Sequence, residues 1–522
     1  MKLKRTIFWI LLSVVSTSIF SQEGNYDKYY KKTLAQADEE YSYDNYFIAL
    51  PLYRQLYEID STNLEVNYKM ATCLFLTKRD KTISEEYFES AKGKYIDSYY
   101  YLARIYFLQQ KFNQSLDAFN YYKNSEGLKT FSNKKVDYYA DKVIIAKEFM
   151  EKPVVASIIN LGNTINSAYP DYAPLLTADE RVMYFTSRRP NKYSKAKDPN
   201  NEFFEDIYFA NNKDEKWHAP INIGPPVNTV THDAGVSVSN DGNKLFIYRT
   251  SKDLSSGDIY ETNKVNGKFS VPEKLPDVIN SAEGVESCAT ICQDQQTLYF
   301  SSNRDGGFGG KDIYKVVKLP NGEWSKAMNL GAKINTPYDE DAPFFHNDGR
   351  TMYFSSRGHQ NMGGYDIFVS TLDEEGKWTS PENLGYPVNT INDDIFFVMN
   401  PDGKTGYFSS NRDGGFGASD IYKIKMPEKY NQNMLLKGKV RDEDSGKPLE
   451  ATITIVDFDT KELQGIYRTT ASSGRFIMVL LPKRHYKLII EADGYQNFVD
   501  DIDMTEKLKM EDLFKNIKLK KE

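Results

Sequence analysis

The sequence is poor in the residues that crosslink a small domain or bind a metal. It has three cysteines and five histidines among 522 residues. Three cysteines exclude a disulfide framework. Cys288 and Cys292 lie four residues apart in an expected strand, about 13 Å apart and too far to bond to each other. No His-Glu-x-x-His pair and no Gly-x-Ser-x-Gly elbow is present, so we expect neither a zinc peptidase nor an α/β-hydrolase, and no metal or cofactor.

An excess of positive charge is also absent. The chain has 66 Lys and Arg against 73 Asp and Glu, a formal net charge of −7. An acidic chain is poorly suited to wrapping nucleic acid or coating an anionic membrane. After residue 21 no segment is apolar enough to cross a bilayer. We therefore expect no nucleic-acid partner and no direct membrane span.

Residues 1–21 are predicted to be a cleavable secretory signal peptide. Lys2, Lys4 and Arg5 precede an apolar stretch that runs from Thr6 to Phe20. This order is typical of an export signal, and the stretch is short for a membrane span; an uncleaved anchor helix is the alternative. Because no cysteine lies near the expected cleavage point, we expect an exported chain that is not a lipoprotein.

Residues 22–152 are predicted to form helical repeats, because apolar and aromatic residues recur there at helical spacing. Ala49 and Ile83 are 34 residues apart, and Ala71 and Ala103 are 32 apart. The segment resembles a short tetratricopeptide array, whose period is about 34 residues; a non-repeating helical bundle is the alternative. The resemblance implies a groove that presents four candidate partner-binding residues, which are Tyr68, Thr72, Tyr100 and Arg104.

A β-rich unit is repeated five times within residues 153–430. Its marker is Asp-Ile followed by an aromatic residue, at successive spacings of 52, 54, 54 and 54 residues, and an arginine ends a β-rich run before each marker. Chance does not place five such copies in register. The marker aspartates are Asp206, Asp258, Asp312, Asp366 and Asp420, and the arginines are Arg188, Arg249, Arg304, Arg357 and Arg412.

Each copy divides into four short strands, which is typical of a propeller blade. The copies resemble the WD40-like (PD40) repeats of TolB-type propellers. Five copies predict five blades; six is the alternative, if the insert between Arg189 and Phe204 contains a degenerate blade. The fifth copy stops at its third strand, so we expect residues 154–160 to supply the missing strand and close the ring.

The arginine and the aspartate of each copy are interpreted as a structural pair across the second hairpin, because buried charges need partners. Acidic clusters such as Asp339-Glu340-Asp341 could bind Ca²⁺, but they lack a fixed loop spacing and are interpreted as solvated rim. Two opposed carboxylates in a central cleft would suit a five-bladed glycosidase. Acids that recur at equivalent positions favour a scaffold instead.

Residues 431–522 are predicted to form a small β-sandwich. Polar and apolar residues alternate in Lys437–Val440 and Tyr486–Glu491, and Gly446 and Gly474 mark turns. The segment resembles the carboxypeptidase-regulatory-like, transthyretin-like modules. Nothing in it carries chemistry.

The order of these parts resembles the PorE-like, OmpA-family periplasmic proteins of Bacteroidetes that are associated with type IX secretion. Those proteins continue into an OmpA-like domain that binds peptidoglycan, which this sequence lacks, so peptidoglycan binding is not expected. The resemblance implies a non-catalytic periplasmic scaffold, associated with the outer membrane, that docks outer-membrane or secretion proteins through the groove and the propeller. The alternatives are a glycan- or peptide-binding module in envelope uptake and a propeller-type hydrolase.

Overall fold

The chain forms two compact units, Met1–Ile144 and Ile145–Glu522. The computed structural model describes residues 23–78, 80–192, 196–199, 201–265, 267–427, 434–471, 473–505 and 512–522. The predicted signal peptide lies outside these residues.

The N-terminal region is helical, as predicted. Ala49, Ala71 and Ala103 are fully buried, and such small residues let neighbouring helices approach closely. None of the described helices is long and apolar enough to cross a membrane. A 3₁₀ turn, Thr82–Ser84, lies between the third and fourth of the seven α-helices that the structure describes: α1 Glu23–Ser42, α2 Tyr46–Ile59, α3 Leu64–Thr77, α4 Glu85–Ala91, α5 Asp97–Leu108, α6 Phe112–Asn124 and α7 Asn133–Glu151.

Five antiparallel sheets follow, one for each sequence copy. The outermost strand of blade 5, β1, is Ser157–Asn160. Blade 1 contains β2 Asp171–Leu176, β3 Val182–Ser187, β4 Asp206–Lys213, β5 Lys216–Trp217 and β6 Ile221–Asn222. Blade 2 contains β7 Asp233–Val238, β8 Lys244–Thr250, β9 Gly257–Val265, β10 Lys268–Phe269 and β11 Glu273–Lys274. Blade 3 contains β12 Glu286–Ile291, β13 Thr297–Ser302, β14 Asp312–Val317 and β15 Met328–Asn329. Blade 4 contains β16 Glu340–Phe345, β17 Thr351–Ser356, β18 Asp366–Thr371 and β19 Glu382–Asn383. Blade 5 is completed by β20 Asp394–Met399, β21 Thr405–Ser410 and β22 Asp420–Lys425.

The first strand of each copy is the innermost, and these strands contact one another in a closed circle, in the order β2, β7, β12, β16, β20 and back to β2. Strand β1 pairs with β22 from Ser157 opposite Lys425 to Asn160 opposite Tyr422. The first and last parts of the propeller sequence therefore share one sheet, which removes the exposed edge as predicted. The insert after Arg189 forms only an isolated bridge among its described residues, so the six-bladed alternative is wrong.

One asparagine per blade fixes the marker strand. Asn335 accepts a hydrogen bond from the Ile313 N–H and donates one to the Ile313 carbonyl. Asn166 does the same for Ile421, from the other end of the propeller sequence. Three further asparagines repeat these bonds: Asn228, Asn280 and Asn389.

The C-terminal residues form two packed sheets, in the orders β26-β23-β29 and β25-β24-β27-β28. The core between them includes Leu436, Ile453, Met478 and Leu488, all fully buried. This confirms an all-β segment. Its strands are β23 Met434–Asp442, β24 Thr452–Asp457, β25 Leu463–Arg468, β26 Arg475–Leu480, β27 His485–Glu491, β28 Phe498–Asp503 and β29 Leu513–Leu519.

Candidate active site

A fully buried acidic residue begins the innermost strand of every blade. In four blades an arginine at or just after the end of the second strand reaches this carboxylate. Each of these arginines also donates to a backbone carbonyl of the preceding loop, so the buried charge is paired and the corner of the blade is held. The nitrogen–oxygen distances are 2.5 Å for Arg189–Asp171, 2.6 Å for Arg249–Asp233, 3.1 Å for Arg304–Glu286 and 2.7 Å for Arg412–Asp394.

The predicted pairing of each arginine with the marker aspartate of its own copy is wrong. Asp312 instead accepts hydrogen bonds from the backbone N–H groups of Phe308 and Gly309, at 2.6 and 3.1 Å. A carboxylate that stabilises a loop in this way does not require an arginine. The other marker aspartates also have partners other than the predicted arginines: Asp420 bonds the N–H groups of Phe416 and Gly417, Asp366 that of Met362, Asp206 bonds Asn191 and Asn222, and Asp258 pairs with Lys274.

We call the repeated pair of a buried acid and an arginine the frame, and blade 4 lacks its arginine. Gly358 stands at the position that Arg189, Arg304 and Arg412 occupy in other blades, and His359 bonds the Ile334 carbonyl at 2.9 Å. Burial lowers the pKa of His359, so it replaces the arginine's hydrogen bond but not its charge. Among the described residues, the side chain of the blade 4 acid, Glu340, accepts hydrogen bonds only from Ser356 and Thr336, and burial raises its pKa to about 7.

Arg188 and Arg357 lie outside the frame, at the end of the channel where the innermost strands begin. We call this end the mouth. Arg188 lies 3.0 Å from Asp198 and 3.2 Å from Glu205. Arg357 lies 3.1 Å from Asp393, with its guanidinium 4.2 Å from the Tyr365 ring centroid. Two of the five arginines that were predicted to repeat are therefore part of a charged mouth instead.

Glu205 is the centre of the first charged group at the mouth, which we call the Glu205 cluster. Its carboxylate accepts a hydrogen bond from the Tyr172 hydroxyl and lies 3.1 Å from His232 Nδ1, besides its contact with Arg188. Burial disfavours the charged form, but His232, Arg188 and Tyr172 outweigh it and lower the pKa of Glu205 to about 2. Glu205 is therefore an ionised carboxylate at neutral pH.

Asp341 is the centre of a second group, the Asp341 cluster, built from blades 3 and 4. Lys311 Nζ lies 2.7 Å from the carboxylate and donates to Ser287 Oγ at 2.8 Å. Ser301 Oγ donates to Asp341 at 2.6 Å. Burial opposes ionisation of Asp341, but Lys311 and these donors lower its pKa, so this carboxylate is also ionised.

Tyr248 lies within reach of both clusters. Burial raises its pKa, and the charges of Glu205 and Lys311 both act on its hydroxyl. The other blades carry Thr186, Ser301, Ser355 and Ser409 at the equivalent strand position. At this strand position, blade 2 is thus the one blade of the five that carries a tyrosine.

The opposite end of the channel is closed by side-chain amides. Asn240 donates to Gln293, Gln293 donates to Asn347 at 2.8 Å, and Asn347 donates back to Asn240 at 3.3 Å. The channel next to this ring is lined by apolar residues such as Leu175, Phe344 and Met399 and leaves a cavity of about 70 Å³. Such a space holds a few water molecules and not a sugar ring.

The four predicted groove residues lie in the helical unit. Tyr100 and Thr72 are 1% and 2% exposed, so they are core residues, and the prediction that they contact a partner is wrong. Tyr68 stacks on Tyr95 at 4.7 Å, and the Arg104 guanidinium lies 4.3 Å from the Tyr139 ring centroid. Contacts with a partner remain a prediction for Tyr68 and Arg104.

Sequence reasoning missed the residues of the mouth because it followed what the copies share. The position before the marker aspartate carries five different residues: Glu205, Gly257, Lys311, Tyr365 and Ser419. Variation at one position of an otherwise regular repeat was the signal available in the sequence. Among the described residues, no group of three His, Cys, Asp or Glu is arranged to hold a metal ion.

No protein-family model matches the chain, and no curated protein matches it. Among solved structures, it is similar to an alpha-L-arabinofuranosidase from Lactobacillus brevis, at 14% identity over 51% of this chain and 94% of that chain, with a TM-score of 0.34. An endo-arabinase from Bacteroides thetaiotaomicron shares 13% identity over 50% of this chain and 98% of that chain, with a TM-score of 0.32. A 3-chlorocatechol 1,2-dioxygenase from Rhodococcus opacus shares 16% identity over 17% of this chain, with a TM-score of 0.14, and the chain spans 61% of its length.

The predictions of a non-catalytic scaffold and of no enzymatic activity are contradicted by these neighbours, of which two are named as glycan-degrading enzymes. The structure also removes the premise of those predictions. They assumed that the acids of the propeller recur from blade to blade, whereas Glu205 and Asp341 have no acidic equivalent in another blade. Both predictions are therefore wrong.

Proposed function

We propose that the chain is a propeller-type hydrolase that cleaves glycosidic bonds at the mouth of its channel. The observation that carries the proposal is the pair of ionised, largely buried carboxylates, Glu205 and Asp341, on different blades at the mouth of the channel. Glycoside hydrolysis commonly uses two carboxyl groups on either side of the scissile bond. Tyr172, Tyr248 and Tyr365 supply the aromatic surface and the hydroxyls that would orient a sugar.

The charge states limit the roles of these residues. A carboxylate that stays ionised can accept a proton from the attacking water, act as nucleophile or stabilise an oxocarbenium-like transition state. It cannot donate the proton that the leaving oxygen needs. The proton donor would therefore be a group other than these two carboxylates.

The test is hydrolysis of a panel of aryl glycosides and oligosaccharides by the purified chain, followed through released chromophore or reducing ends. Glu205→Gln and Asp341→Asn should each lower kcat by at least about a hundredfold. Asp402→Asn, in a turn at the closed end, is the matched control and should leave kcat unchanged. Absence of hydrolysis across the panel overturns the proposal, and binding without cleavage would favour a glycan-binding module.

We further infer that the helical unit is a short tetratricopeptide-like array and that the C-terminal sandwich is transthyretin-like. Export from the cytoplasm, proposed from residues 1–21, is compatible with a glycan substrate. N-terminal sequencing of the chain purified from the envelope fraction tests it, because a cleaved signal would leave a new N-terminus near Gln22.

A further inference from the structure

A second site lies far from the mouth, between the closed end of the propeller and the C-terminal sandwich. The sandwich is held there by the Ile466 N–H, which donates to the Gln293 carbonyl at 2.8 Å. Next to this contact is a cleft of about 1360 Å³. Its walls are turns of blades 1 and 2 on one side and strands β23, β26 and β29 on the other.

The cleft is basic although the chain is acidic. Seven Lys and Arg residues line it against four Asp and Glu. The cations are Arg181, Lys213, Lys264, Lys437, Lys439, Arg468 and Arg475, and the acids are Asp179, Asp214, Asp241 and Glu450.

Two of these cations face each other on neighbouring strands. Lys439 of β23 is the register partner of Arg475 of β26, and like charges placed directly opposite destabilise a sheet. Neither residue forms an ion pair within the part of the chain that the structure describes. This repulsion is relieved when an anion binds between the two side chains.

The propeller wall contributes a third cation. Lys264 lies in the cleft, and burial lowers its pKa. It has no carboxylate within ion-pair distance among the described residues, so removing it from water is not offset by a salt bridge. Lys437 and Arg181 are paired with Asp512 and Asp179. Lys439, Arg475 and Lys264 therefore approach the same space from both walls with no ion pair among the described residues.

We propose that this cleft binds a segment of an acidic polysaccharide. Its volume exceeds the range of about 300–1,000 Å³ that is typical of small-molecule pockets, which favours a chain over a single small molecule. Asn212, Asn243, Asn516 and Thr470 also line it and offer hydrogen bonds to hydroxyl groups. The anionic character of the ligand rests on the cations alone, whereas the choice of a glycan rests on the proposed function.

The test measures binding of the full chain to polygalacturonate and to the same polymer with its carboxyl groups methyl-esterified. Lys439→Gln combined with Arg475→Gln should weaken binding of the acidic polymer at least tenfold, and the esterified polymer should bind at least tenfold more weakly than the acidic one. Added salt should weaken binding, because exposed charges are screened. The control is Lys487→Gln, in the other sheet of the sandwich, where the opposite residue is Asp501.

Weaker binding in the double variant would not be caused by unfolding, because removing a like-charge pair is expected to keep or raise the melting temperature of the free chain. Unchanged affinity in the double variant, or equal binding of both polymers, overturns the proposal. Binding of polyglutamate at the cleft with equal or higher affinity would overturn the choice of a glycan. Glu205→Gln should abolish hydrolysis and leave this binding intact. The experiment therefore distinguishes failure of the proposed hydrolysis at the mouth from failure of the proposed binding in the cleft.

Discussion

The Tyr248 hydroxyl occupies the space that a side chain at position 257 would need. A Cβ atom on Gly257 would overlap the tyrosine ring and its hydroxyl. Blade 2 combines the large residue on one strand with the absent side chain on the next, and the other blades have neither. Two neighbouring substitutions in one copy therefore place an aromatic ring at the mouth.

Gly257→Ser should move the Tyr248 ring and weaken the binding of substrate. We expect KM to rise by about tenfold or more, the scale of roughly 1–2 kcal/mol of binding energy, with a smaller change in kcat. The measurement is steady-state hydrolysis of the best substrate of the panel. Ser419→Gly, the reverse change at the equivalent position of blade 5, is the control; an unchanged KM in Gly257→Ser would remove Tyr248 from the site.

Glu340→Gln should stabilise the protein at alkaline pH. The raised pKa, about 7 against an ordinary 4.5, means that the folded state retains a proton that the unfolded state loses between these values. Wild-type stability therefore falls as pH rises through this window. The variant avoids this loss, about 3 kcal/mol at pH 9 from the linkage relation, and should match the wild type near pH 4.

Urea unfolding at several pH values measures this effect, and blade 3 supplies the control. Glu286→Gln changes the same frame position, but there the carboxylate is paired with Arg304 at 3.1 Å. Breaking that buried pair should destabilise by about 3 kcal/mol at neutral pH. Equal effects of the two substitutions would show that the missing arginine of blade 4 is irrelevant.

The effect of Glu205 on the free energy of unfolding should depend on pH in the opposite sense to that of Glu340. Its pKa is lowered to about 2 from 4.5, so its stabilising contribution is present above pH 4.5 and is lost as pH falls towards 2. Glu205→Gln should therefore cost about 3 kcal/mol at pH 7 and nothing near pH 2.

Unfolding of this variant from pH 7 down to pH 3 gives the measurement. Glu202→Gln is the matched control, because Glu202 contacts the same Arg188 at 2.7 Å but its side chain is 56% exposed. It should change stability by no more than about 1 kcal/mol. A deficit in Glu205→Gln that does not shrink on acidification would contradict the assigned ionisation.

Asn166→Ala should loosen the closure of the ring. Asn166 bonds Ile421 and Asn160 at 2.8–3.0 Å, and its loss leaves buried backbone groups unpaired at about 1–3 kcal/mol each. Hydrogen exchange in β1 and β22 should accelerate.

Asn335→Ala removes the same three bonds inside blade 3, to Ile313 and Asn329. It should lower the melting temperature to a similar extent without selective exchange in β1. Equal exchange patterns in the two variants would mean that the closure is no weaker than the interior of a blade.

The repeat was predictable because each copy contains the same local sequence signals for strands and turns. The Asp-Gly turns are an example: Gly242, Gly349 and Gly403 have φ of 71°, 75° and 71°, a backbone conformation that glycine adopts without a steric penalty. The strand order follows from the four strands of each copy. Because the fifth copy has only three, the use of residues 157–160 to close the ring of blades follows as well. The partner of each arginine did not follow, because Arg304 and Glu286 lie 18 residues apart and a marker aspartate lies closer in sequence.

The sequence by itself determined the elements of this protein: helices first, five equivalent β units, and a final sandwich pattern. Alternation, turn residues and repeat spacing are local, and they act before the chain is folded. Only the tertiary structure decided the site, because closing the ring brings residues that differ between copies, such as Glu205 of blade 1 and Asp341 of blade 4, to one end of the channel. Their charge states depend on burial and on partners that the folded chain places beside them, and a linear pattern contains neither.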